Sequence, residues 1–238
     1  MAQDLADPGR APTAGGAGAG ESRIRLLPAE GRTPLNGRMP TPRALRWRSD
    51  RESEGEQRAV SVFFAPRAYV RVCAHAGSDL DNEVGGALVG RWRADSTTGR
   101  QYVVVEAAIR AQHTRHGSAF LTFTTESLVA LHDEMERRYP TKELVGWYHT
   151  HPRMGVFLSG YDVWLHQHFF PEPWQVALVI EPYTRLGGFF IREVDGRLNP
   201  HRYVGFYELV PRGSSSLVYW QNLEPELKVE QVEGGMQS

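Results

Sequence analysis

The stretch His149-Thr150-His151-Pro152, followed by Ser159-Gly160-Tyr161-Asp162, decides the reading of this chain. Two imidazoles, a hydroxyl and a carboxylate stand there at spacings that suit one hydrolytic zinc site. His149 and His151 are two positions apart, so on an extended strand both side chains point to one face. Asp162 follows His151 by eleven residues, enough chain to turn and bring a carboxylate back to the same point. A catalytic zinc takes three such protein ligands and keeps its fourth position for water. Thr150 alternates with the two histidines and is expected to face away from them, as a strand filler.

A hydrolytic site also needs a base. Glu83, in Asp81-Asn82-Glu83-Val84-Gly85-Gly86-Ala87-Leu88-Val89-Gly90, heads an apolar, glycine-rich run that reads as a strand packed against other backbone. A carboxylate placed there points inward or lies at the rim of a cleft, and either placement needs a reason. Glu83, His149-Thr150-His151-Pro152, six residues, then Ser159-Gly160-Tyr161-Asp162 together resemble the motif of the JAMM (MPN+) metallopeptidases. Val145-Gly146-Trp147-Tyr148 before the first histidine, Phe157-Leu158 before the serine and Glu181-Pro182 after the next strand agree with it. They look most like the isopeptidases of the proteasome lid and the signalosome. The resemblance covers roughly residues 58 to 210.

That resemblance implies an α/β MPN fold: a mixed β-sheet flanked by helices, in a cytidine-deaminase-like layout. It implies one catalytic Zn2+ held by His149, His151 and Asp162, with Glu83 as the general base that passes a proton from the attacking water to the leaving amine. Ser159 is carried over as the group that hydrogen-bonds the oxyanion; spacing alone leaves it open between that role and capping a helix. Substrates would end in a flexible Gly-Gly tail, as ubiquitin-like modifiers do. The Gly/Ala/Arg-rich composition with few lysines suggests a high-GC bacterial gene, which favours a bacterial ubiquitin-like or sulfur-carrier-like protein over ubiquitin itself. The Cys-containing ubiquitin-gripping inserts of eukaryotic members are not apparent.

Three other readings compete. A general zinc peptidase or amidase acting on a small protein or thiol conjugate uses the same site. A metal-free MPN scaffold typically lacks one or more ligands, whereas this chain keeps them all. A zinc deaminase needs Pro-Cys-x-x-Cys, and Cys73 is the single cysteine. Among the other histidines, His166 lies one helical turn after Asp162, either supporting the site or sitting on the helix surface. His168 has no comparable argument. His113 and His116, in the polar loop Gln112 to Ser118, are open between solvated and substrate-facing roles.

Composition bounds the rest. A chain of 238 residues with 41% hydrophobic content buries one sizeable core. A formal net charge of -1 argues against a general polyanion binder, so no nucleic-acid partner is expected. One cysteine excludes an internal disulfide; Cys73 is expected on the buried side of a helix, in a reducing cytoplasm. No signal-peptide apolar region and no run of about 18 apolar residues is present, so no membrane partner is expected. Residues 1–55, rich in Gly, Ala, Pro and Arg, are expected to be disordered, with Arg43, Arg46, Arg48, Arg51 and the acidic run from Glu52 to Glu56 forming a solvated linker. The domain then spans 56–223, and 224–238 is a disordered acidic tail. Leu209-Val210-Pro211-Arg212-Gly213-Ser214 is identical to a thrombin-cleavage linker, yet Leu217-Val218-Tyr219-Trp220 beyond it looks native.

Alternation and breakers place the elements. Strands are expected at 60–64, 83–92, 101–108, 120–123, 144–148, 175–180, 188–194 and 203–209. Helices are expected from Pro66 to about His75, from Thr125 to before Pro140 with Leu128, Val129, Leu131, His132 and Met135 inward, and from Ser159 as N-cap with Asp162 at N3.

Overall fold

The computed structural model describes residues 32–53, 57–111, 115–117, 120–122 and 125–226. The expectations for residues 1–31, for the tail beyond residue 226 and for His113 lie outside them, as does the side chain of His116. The strands are β1 (Leu35–Gly37), β2 (Ala44–Ser49), β3 (Ser61–Phe64), β4 (Gly85–Asp95), β5 (Gln101–Arg110), β6 (Arg115–Gly117), β7 (Phe120–Thr122), β8 (Glu143–Thr150), β9 (Val176–Glu181), β10 (Leu186–Phe190), β11 (Tyr207–Leu209) and β12 (Leu223–Pro225). The helices are α1 (Pro66–Ala76), α2 (Thr125–Arg138) and α3 (Gly160–Phe169). One mixed sheet runs in the order β10-β9-β8-β4-β5-β3-β11-β2-β12, with β1 alongside the far half of β4; β6 and β7 form a separate hairpin.

Both faces of the sheet are covered, which explains why its central strands read as near-continuous apolar runs. On one face Phe64, Val72, Leu88, Val105, Tyr148, Phe189 and Trp220 pack with α1. On the other, Val89, Ile109, Leu131, Trp147, Leu165, Val179 and Phe190 pack with α2 and α3. Leu128, Leu131 and Met135 are the inward stripe of α2; Val129 is 47% exposed instead, because it follows Leu128 by one position and turns about 100° off the stripe. Cys73 is half-buried against the α1-side core. Among the described residues no helix is long and apolar enough to cross a membrane.

The disordered segment expected over residues 1–55 is corrected where it is described. β2 pairs with both β11 and β12, so Glu224 and Pro225 also belong to the sheet rather than to a tail. Trp47 is buried, and its Nε1 donates to Glu208 at 3.1 Å. Glu52 is not solvated either: it pairs with Arg46 and with Arg58 and accepts from the backbone of Ser49 and Gly205. The Arg/Glu-rich composition looks like a linker because Arg46 and Arg58 lie close to Glu52 in sequence, whereas Gly205 and Glu208, against which this segment is buried, lie far away. The strands expected at 188–194 and 203–209 shorten to β10 and β11, and Phe189 of β10 makes an isolated bridge to Val204, which lies before β11.

Candidate metal centre

The site is assembled where β8 leaves the sheet under the start of α3. β8 lies antiparallel to β4 and parallel to β9. Leu88 pairs with Gly146 and Val89 with Leu144, so Val145 is bulged out of the ladder and the side-chain alternation is reset. Gly146 permits the close approach this needs: a Cβ there would stand 2.1 Å from the Val176 carbonyl oxygen. From that point Trp147 and His149 both face α3.

α3 begins as its sequence suggests. Ser159 is the N-cap, its hydroxyl accepting from the Asp162 amide at 3.2 Å while the Asp162 carboxylate accepts from the Ser159 amide at 2.7 Å. This reciprocal capping box fixes the carboxylate over β8. His149 Nε2 and His151 Nε2 are 2.9 Å apart; His149 Nε2 lies 3.4 Å and His151 Nε2 3.6 Å from the Asp162 oxygens. All three side chains are buried, and one ligand atom from each falls within 4.8 Å of the others. Ligands about 2.0–2.1 Å from a tetrahedral zinc stand about 3.3 Å from one another. The observed separations bracket that edge, so this donor set fits zinc.

Glu83 is the fourth buried group, 2% exposed, with Oε1 3.8 Å from His151 Nε2. It sits just before β4 rather than as its first residue. Its placement depends on Thr150, which is more than a filler: the Thr150 hydroxyl accepts from the Val84 amide, and the Thr150 amide donates to the Val84 carbonyl, both at 2.9 Å. The peptide that carries Glu83 is therefore clamped to the strand that carries His149.

Charge balance follows from the geometry. Burial alone would raise the Asp162 pKa, but the charge of His149 and hydrogen bonds from His149, His151 and Ser159 outweigh it and hold the carboxyl well below its usual range. Burial lowers the pKa of His151, against the opposing pull of Asp162 and Glu83. Asp162 is thus held as an anion and His151 is biased toward its neutral form, and each of these is the state in which that residue can bind a metal.

The structure also corrects the other histidines. His166 is completely buried and accepts a hydrogen bond from Trp147 Nε1 at 3.0 Å, so it is not a surface residue. His168 donates from Nδ1 to the Trp164 carbonyl and stacks on Trp164 at the exposed side of α3, away from the ligands. Glu181 had carried no role of its own. It is 1% exposed and accepts from the backbone of Arg153, Tyr183 and Thr184, which pins the turn after His151 and Pro152. An acidic residue ending an apolar strand was its only signal. Phe157 supports the His151 ring at 4.7 Å.

Comparison with known proteins points to one family. The model of the family described as JAB1/Mov34/MPN/PAD-1 ubiquitin protease matches residues 57–170. The 26S proteasome non-ATPase regulatory subunit 14 of Drosophila melanogaster is 25% identical over 147 residues, 61% of this chain and 46% of that one. The COP9 signalosome complex subunit 5 of Caenorhabditis elegans is 31% identical over 121 residues, 48% of this chain and 30% of that one. The chain therefore spans less than half the length of these relatives. A Desulfitobacterium hafniense protein solved in solution aligns with a TM-score of 0.45 and 19% identity, over 59% of this chain and 90% of that one.

Proposed function

Because residues 57–170 belong to the JAB1/Mov34/MPN/PAD-1 family, we propose that this chain is a zinc-dependent hydrolase that cuts the isopeptide or peptide bond after the C-terminal Gly-Gly of a ubiquitin-like protein. The observation that carries this reading is the buried convergence of His149, His151 and Asp162 with the Glu83 carboxylate beside it. Zinc held by those three residues would act as a Lewis acid and make water acidic enough to yield hydroxide near neutral pH.

The chain's own groups supply the rest. Glu83 takes the proton of the attacking water and hands it to the leaving amine, a role worth roughly 10² to 10⁴ in rate. The Ser159 hydroxyl accepts from the Asp162 amide and keeps its own proton to donate; it donates to the oxyanion, so capping and catalysis use different sides of one group. Asp162 and the two histidines stay fixed by α3, β8 and the Glu181-held turn. A Gly-Gly tail suits a buried reaction centre because backbone without Cβ atoms comes closest to it.

The test combines metal content and cleavage. Protein purified without chelators should hold about one zinc, and His149→Ala, His151→Ala or Asp162→Ala should each lose most of it. Glu83→Gln should keep the zinc and lose roughly two to four orders of magnitude in rate. A ubiquitin-like protein extended past its Gly-Gly should be cut after the second glycine, and replacing that glycine by valine should abolish cutting. Metal-free wild-type protein, or equal cutting of the valine substrate, would overturn the reading.

A further inference from the structure

His166 and Trp147 form a second contact between α3 and β8, one step away from the contact that makes the metal site. Asp162 and His166 are four residues apart on α3, a rise of about 6 Å. His149 and Trp147 are two residues apart on β8, a rise of about 6.6 Å. The two spacings nearly match, so the elements meet as two rungs: Asp162 on His149 at 3.4 Å, and His166 on Trp147 at 3.0 Å. The Trp147 ring lies flat against the His149 ring, with centroids 4.6 Å apart and an 11° interplanar angle. Phe170, the C-cap residue of α3, also stacks on Trp147, at 5.9 Å.

The bond has a defined direction. Indole Nε1 can only donate, so His166 Nδ1 must accept, and the imidazole must be neutral with its proton on Nε2. Burial, and after it the charge of Arg192, pushes the His166 pKa well below its ordinary value, which keeps the acceptor available. Arg192 also holds the end of this helix by donating to the carbonyls of His166 and Phe170. Nδ1 of His149 is buried and has no hydrogen-bond partner among the described residues. The ring of this ligand is therefore oriented through its face, by Trp147, rather than through the usual outer hydrogen bond to its second nitrogen.

We infer that His166 is a positioning residue for the metal centre: by accepting from Trp147 Nε1 it fixes the indole that sets the plane of the His149 ring. The inference rests on the zinc reading above. Losing an outer partner of a metal-binding histidine typically costs 10- to 100-fold in metal affinity.

The test is a double-mutant cycle read as the rate of zinc release from the loaded full-length protein to a chromophoric chelator. His166→Leu removes the acceptor at similar volume and should speed release about 10-fold or more. His166→Asn places an oxygen near the position of Nδ1 and should restore release to near the wild-type rate. Trp147→Phe keeps a stacking ring but has no N–H, so adding His166→Leu to it should change little further. Near-ultraviolet circular dichroism checks that each variant is folded; if His166→Leu does not fold, the failure of His166→Asn to match wild type decides against the inference. Wild-type release from folded His166→Leu, or independent effects of the two substitutions, would overturn the positioning role alone. Wild-type protein that binds no zinc would overturn the hydrolase reading and this inference together.

Discussion

Thr150 illustrates how much of the site depends on a single hydroxyl. Its oxygen accepts from the Val84 amide, 66 residues away in sequence, and so holds the backbone that delivers Glu83. Thr150→Val keeps the shape and removes the acceptor. A buried amide left unpaired costs about 1–3 kcal/mol, and a small displacement of the base costs up to about 10²-fold in rate. The expected outcome is a kcat lowered roughly 10- to 100-fold with zinc content unchanged and Thr150→Ser near wild type. Unchanged turnover in Thr150→Val would show that Glu83 is held by other contacts. That His149, His151, Asp162 and Glu83 converge, and that Ser159 caps α3, was readable from the sequence because such residues are scarce and their spacing informative. The roles of Thr150 and Glu181 were not, and that of His166 stayed open between support and surface, because what they do depends on partners that only the fold brings near.

At the scale of elements, α3 is where stability and chemistry are hardest to separate. Ser159→Ala removes an N-cap worth about 0.5–2 kcal/mol and also removes the proposed oxyanion donor, worth about 10²–10³ in kcat. The two losses part company on cooling. At a temperature where circular dichroism shows the variant fully folded, the rate loss should persist, and Ser159→Thr should recover most of both. Activity that returns to wild type once the variant is folded would leave Ser159 with the cap alone. The start of α3 was legible because a capping box is local. The bulge at Val145 was not, because it records a pairing of β8 with β4 rather than any property of the residues themselves. For the same reason β2 was hidden: Ala44-Leu45-Arg46-Trp47-Arg48-Ser49 has no clean alternation, and Arg46 is settled by Glu52, the Trp47 carbonyl and the distant Tyr207 ring.

For the whole molecule, acid should loosen the fold in a definite window. His75 is 8% exposed and bonded to the Tyr148 hydroxyl at 2.8 Å; burial, and then the charge of Arg110, lowers its pKa from 6.5 to about 4. Between those values the unfolded chain binds the proton that the native state refuses, so this contribution is complete above pH 6.5 and is lost as pH falls toward 4. Urea midpoints should fall across that range, and less steeply for His75→Leu; an identical slope in the variant would remove His75 as a cause. The far end of the sheet gives the stricter test. β2 stands five strand spacings from β8, roughly 24 Å, and touches none of the site, yet it joins β11 to β12 and buries Trp47 against Glu208. Removing residues 1–55, the boundary that composition suggests, deletes that strand and the Glu52 cluster with it. Loss of a buried tryptophan alone costs about 3–5 kcal/mol, a large part of the 5–15 kcal/mol that holds a typical domain together. The truncated protein should therefore unfold at clearly lower urea and expose residues 207–226 to protease, while any molecules still folded release zinc at the full-length rate. An unchanged urea midpoint would mean that the sheet ends at β11 in solution and that β2 contributes nothing to its stability.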